Sequence, residues 1–123
     1  MKVTINNPDG ISREFVDVTQ IAHTPTGKKH DSNKPKWNLL PWVAQTEVVK
    51  ALTFGEKIYG ADNWRHVPDG NSRYLAAALR HIVAWATGEK HDPESGLHHL
   101  AHAVCCLLFL IELDTTQERQ HEK

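Results

Sequence analysis

The chain reads as mainly α, a three-helix bundle core with an N-terminal β-hairpin, expected to assemble as a homo-oligomer. Three observations predict this. Residues 41–60 and 73–87 repeat apolar side chains at helical spacing, each after a start signal (Pro41; Asn71 or Ser72) and before a glycine. A third stretch, opening near Ser95, is apolar nearly all round as far as Leu113, the pattern of a central or interface helix. The first eighteen residues alternate instead with a period of two.

Composition narrows the function classes. A chain of 123 residues is one domain under the usual prior of about 100 to 200 residues per domain. It can bury roughly two thirds of its unfolded surface, enough for a core without staples. A net charge of −1 argues against a general nucleic-acid-binding surface, which needs a basic excess. Cys105 and Cys106 are adjacent, so they cannot form a disulfide framework and read as buried free thiols in a reducing compartment. The opening MKVTINNPDG has no apolar signal core. The longest uninterrupted apolar run, Ala103 to Ile111, is far short of the roughly 20 residues that span a bilayer. The expectation is a cytoplasmic protein with no membrane partner.

Taken in order, Met1–Ile5 and Ser12–Val18 are the two strands, joined across the turn-rich Asn6-Asn7-Pro8-Asp9-Gly10, so that residues 1–20 form the hairpin. Residues 23–36 are polar and rich in Pro, Gly and Lys, a long loop that Trp37 should tie down. Pro41 suits a first helical position, and Val43, Ala44, Val48, Ala51 and Leu52 mark the apolar face of a helix that Gly60 stops. A loop with Asn63-Trp64-Arg65 leads to a second helix, Arg73–Thr87, capped by Asn71 or Ser72 and ended by Gly88. The third helix is expected to turn Leu97, Leu100, Ala101, Val104, Leu107, Leu108 and Ile111 inward. Residues 28–114 are then the helical domain, and 115–123 a frayed tail.

Two constellations could carry chemistry. Asp92 and Glu94 lie in a loop before His98, His99 and His102, and the three- and four-residue spacings would let His102 share a ligand with either of the other two. A divalent metal held by Asp92, Glu94 and His102 is one reading, and capping or core histidines is the other. Two carboxylates are few for an all-oxygen magnesium site, which would draw on substrate phosphates to complete its shell. His91-Asp92 matches the dipeptide of HD-type phosphohydrolases, but it sits in a loop just past Gly88. The second constellation is cationic and aromatic: Lys34, Trp37, Lys57, Trp64, Arg65, Arg73, Arg80 and His81. Arginine forks bind phosphate oxygens in bidentate fashion and aromatic faces stack on bases, so together these suit a nucleotide. No GxSxG or GxxxxGK[ST] motif occurs, so any hydrolysis would use a metal- or base-activated water.

The succession HDSNKPKWNLLP, LTFGEKIYGADNWR and RYLAAALRHIVAWATGEKHDPESGLHHLAHAVCCLLFLIELD resembles a helical family widespread in phages, the N-terminal domain of dATP/dGTP diphosphohydrolases. The likeness runs from about Lys28 to Asp114 and takes in Asn63 beside the residues above. It implies a phage-type purine nucleotide phosphohydrolase in the host cytoplasm. Asp92, Glu94, His99 and His102 would then be catalytic, with magnesium or manganese as cofactor and a small-molecule nucleotide as partner. The all-α nucleoside triphosphate pyrophosphatases are a further point of comparison, but their ExxE and ExxD pairs have no counterpart in suitable helical positions here. An alternative stays open: a non-catalytic phage sponge, needing no metal, that sequesters a cyclic nucleotide signal of bacterial anti-phage defence.

Overall fold

A computed structural model of the chain describes residues 2–6, 12–16 and 26–121. It comprises two compact units, residues 1–36 and 37–123. In the first, strand β1 (Lys2–Asn6) pairs antiparallel with β2 (Ser12–Val16), setting Val3 opposite Phe15 and Ile5 opposite Arg13. The connection, residues 7–11, and the predicted end of the second strand, residues 17 and 18, lie outside the described residues. From residue 26 the backbone has no regular structure except a turn closed by the Lys34 N–H on the Asp31 carbonyl, 3.0 Å.

The second unit holds three helices. α1 spans Trp42–Tyr59, α2 Gly70–Ala86 and α3 His99–His121. Single 3-10 turns at Trp37–Leu39 and Asn63–His66 precede α1 and α2. Pro41 stands just before α1, in extended geometry, and Gly60 follows it at φ +92°, a conformation that glycine adopts without steric cost. α2 begins three residues before its predicted start. Asp69, in the left-handed region at φ +55°, ends the preceding turn, so Asn71 and Ser72 lie inside the helix rather than capping it.

α3 also begins later than predicted, at His99 rather than near Ser95. Gly96 adopts φ +74°, which a right-handed helix cannot contain, and a β-bridge joins His91 to His98. The Nδ1 of His98 then accepts the Leu100 N–H at 3.0 Å, satisfying one of the free donors at the helix start. At its other end the helix continues to His121, through most of the segment expected to fray.

α1 and α2 pack mainly on α3 rather than on each other. Small side chains make those crossings. Ala51 of α1 meets Ala101 and Cys105 of α3, flanked by Val48, Leu97 and Phe109, while Ala78 of α2 and Ala103 and Cys106 of α3 are also buried. The expected inward face of α3 is therefore corrected. Val104, Leu107, Leu108 and Ile111 stay exposed, because Ala and Cys permit the closer helix approach and the larger residues are left outside. His99–Gln117 is long and apolar enough to span a bilayer by length and composition, a test that a core helix also passes.

Candidate functional site

α1 and α2 each pack on α3 with little contact between them, and a cleft of ≈1120 Å³ lies among the three helices and the loops at their ends. That volume suits a small-molecule ligand. Asn63, Trp64 and Arg65 line it from the 3-10 turn, Arg73, Arg80 and His81 from α2, Asp92 and Glu94 from the loop before α3, and His102 from α3. Lys57 and Trp37, both exposed, are not among its lining residues. Lys34 belongs to the first unit.

The turn that carries the acids is self-bonded. The Gly96 N–H donates to the Asp92 carbonyl at 2.7 Å, the Asp92 N–H to the Leu97 carbonyl at 2.8 Å, and the Glu94 N–H to Asp92 Oδ1 at 2.8 Å. One Asp92 oxygen is thus committed to the turn. The other, Oδ2, faces His81 Nδ1 at 4.0 Å and His102 Nε2 at 3.9 Å. Ser95 Oγ accepts the Leu97 N–H at 3.1 Å and lies 2.6 Å from His102 Nε2.

His81, His99 and His102 converge here from two helices. The rings of His81 and His102 stack at 4.9 Å, and Phe54 of α1 meets the His102 ring edge-on at 6.2 Å. His81 Nδ1 and His99 Nδ1 are 2.9 Å apart, and the Nε2 of buried His99 lies 2.6 Å from Glu89 Oε1. Glu89 is an acceptor when ionised, so His99 carries its proton on Nε2 and turns the lone pair of Nδ1 toward His81. Burial pushes the pKa of both His81 and His102 down; neighbouring imidazoles add to this, and Asp92 opposes it. Both rings are therefore predominantly neutral at pH 7.

The donor atoms nearest to a ligand set are His81, Asp92 and His99, all within 4.8 Å of one another. This differs from the predicted trio of Asp92, Glu94 and His102: the Glu94 backbone, not its carboxylate, engages Asp92, and His102 is tied to Ser95. His98 is the helix cap and His91 its bridge partner, so of the His91-Asp92 dipeptide only Asp92 belongs to the cluster. Glu89 is a site residue to which neither spacing nor composition gives a role, although it lies within the stretch that carries the family resemblance.

The cations differ in availability. Arg80 is exposed and has no ion-pair partner among the described residues. Arg73 makes one 3.4 Å bond to the Pro68 carbonyl. Arg65 is engaged, 3.3 Å from Asp62 and 3.8 Å from Glu112, with its guanidinium 4.2 Å over the Trp64 ring. Phe109 stacks on Trp64 at 4.4 Å and 11°. Two groups at those distances cannot share one face, so both faces of Trp64 are covered. As a stacking platform for a base, Trp64 would first have to shed Arg65.

Comparison with known proteins follows the same residues. A family model described as dATP/dGTP diphosphohydrolase, N-terminal, matches residues 24–123. A protein of Salmonella phage PMBT28 named dATP/dGTP diphosphohydrolase is 38% identical over 88 residues, 72% of this chain and 30% of its own length. The chain thus corresponds to under a third of that relative. No solved structure matches. The sequestering alternative draws no support from these likenesses.

Proposed function

Since the chain belongs to the dATP/dGTP diphosphohydrolase N-terminal family, we propose that it is a phage purine (deoxy)nucleotide phosphohydrolase acting at the cleft between its helices. The carrying observation is that Arg80, exposed and unpaired among the described residues, directly precedes His81 of the imidazole–carboxylate cluster on the same cleft. A phosphate chain held by the Arg80 and Arg73 guanidinium groups would lie within reach of that cluster. Glu89 and His99 hold His81 in orientation, and the Asp92–Gly96 turn holds Asp92.

The donor set fits a divalent cation, with His81, Asp92 and His99 as its holders. Such an ion, when bound, supplies Lewis-acid polarisation of a phosphoryl oxygen and lowers the pKa of a bound water. His102, kept neutral by burial, can accept a proton, and the Ser95 hydroxyl beside it can relay one. The walls of Phe54, Tyr59 and Tyr74 offer apolar surface for a base. The small charge of −1 agrees with a free nucleotide rather than a polynucleotide as ligand.

Purified protein incubated with dGTP or dATP and magnesium, manganese or zinc should release phosphate or pyrophosphate. Intact nucleotide after prolonged incubation with each ion would reject hydrolysis. Assembly into a homo-oligomer is part of the same proposal, supported by the exposed Leu75, Leu79, Val83, Leu107 and Ile111. Light scattering after gel filtration should give a mass at least twice 13.9 kDa, and a monomer mass would reject assembly.

A further inference from the structure

The approach of two imidazole nitrogens to 2.9 Å, His81 Nδ1 to His99 Nδ1, admits two explanations. Either one proton is shared between them, or both lone pairs are set to meet a common ion. Ligands about 2.1 Å from one ion stand roughly 3 Å apart at the right angles of an octahedral shell and roughly 3.4 Å apart in a tetrahedral one, so the pair as it stands is closest to the six-coordinate spacing. Asp92 Oδ2, 4.0 Å from His81 Nδ1, provides an oxygen on the same site. The decisive feature is on the far side of His99, where Glu89 Oε1 lies 2.6 Å from Nε2: in the neutral ring an Nε2–H donated to this oxygen leaves the Nδ1 lone pair free to ligate. A ring nitrogen bound to a carboxylate, with the other nitrogen turned inward, is how ligating histidines are oriented at metal centres.

We infer that His81, His99 and Asp92 form a nitrogen-rich centre selective for a late first-row ion such as zinc or cobalt over magnesium, with Glu89 as the residue that positions His99. This deepens the reading proposed above, since His81 and Asp92 line the same cleft with buried His99 behind them, but it concerns which ion is held and by what. Imidazole donors favour such ions, whereas magnesium requires oxygen ligands and gives up its water reluctantly. Two of the three first ligands here are nitrogen, and one oxygen of Asp92 is already spent on the Glu94 N–H.

The test uses the whole chain, stripped with chelator and free of nucleotide. Zinc and magnesium binding are measured by calorimetry, and cobalt by its visible absorption. Zinc should bind roughly 100-fold or more tightly than magnesium. Cobalt should give visible bands shifted from those of the aqueous ion by nitrogen ligation, and this shift should vanish in His81→Gln. Glu89→Gln changes a half-exposed side chain and should weaken zinc by about 10- to 100-fold with an unchanged circular dichroism spectrum. Because His99 is buried, its replacement risks misfolding, so the test relies on the other two variants. Equal affinity for zinc and magnesium, or zinc binding untouched by His81→Gln and Glu89→Gln, would overturn the inference. Tight zinc binding without nucleotide hydrolysis would reject the proposed activity alone, and hydrolysis with magnesium but no zinc binding would reject this centre alone.

Discussion

Arg80→Ala separates ligand recognition from folding, because the structure gives this residue so little to do in the unliganded protein. Its guanidinium is exposed on the cleft and meets no carboxylate within ion-pair distance among the described residues. Removing it should change stability by no more than about 0.5 kcal/mol, the range for surface substitutions, or a melting shift of roughly 1–3 °C. A hydrogen bond to a charged group contributes about 1.5–3 kcal/mol, and each factor of ten in affinity is about 1.4 kcal/mol. If Arg80 holds phosphate, its loss should therefore weaken binding of a non-hydrolysable dGTP analogue by about 10- to 150-fold. Arg65→Ala is the contrasting control. That side chain lies over Trp64 and pairs with Asp62 and Glu112, so its removal should lower the melting temperature more than Arg80→Ala does. Calorimetric titration and a thermal melt on the same samples decide the matter. An Arg80→Ala protein that binds the analogue within threefold of the parent, with unchanged melting, would refute the assignment.

Three further outcomes bear on the framework around the cleft. Gly96→Ala meets no steric neighbour but must hold φ +74°, so the denaturation midpoint should fall by the equivalent of about 1–2 kcal/mol; an unchanged midpoint would deny that this turn is strained for other residues. Ala101→Leu inserts a branched side chain at the α1–α3 crossing and should cost about 1–3 kcal/mol in urea titration, unless the helices can separate without loss. Burial pushes the Cys105 thiol up to about 12, so at pH 8 almost none of it is thiolate. Native protein should then react with a thiol probe only as fast as it unfolds, and prompt labelling of Cys105 would contradict its burial.

What the sequence makes legible here is whatever depends on one helix at a time. The apolar periodicity and the glycines at 60 and 88 mark the helices well, because backbone punctuation is local. Which face turns inward is not local. From Leu100 to Leu113 of α3 nearly every position is apolar, so hydrophobicity cannot rank its faces there, and close approach by Ala101 and Cys105 decides the packing. The same limit governs the site. Three- and four-residue spacing pairs His98 or His99 with His102 on the assumption that one helix already contains them all. Gly96 delays the helix start, His98 becomes its cap, and His99 looks across to His81, eighteen residues earlier on α2. The role of Glu89 is hidden for a related reason, since it exists only once His99 has been placed beside it. Arg80 and His81 are recognisable as residue types, whereas their relation to Asp92 requires the fold. Their adjacency on α2 nevertheless has a consequence that either neighbour alone would lack. Consecutive helical residues point about 100° apart, so one can face α3 while the other reaches the open cleft. His81, half-buried, joins the cluster on α3, and Arg80 is left at the mouth, where an anion drawn to its charge would arrive beside the imidazoles.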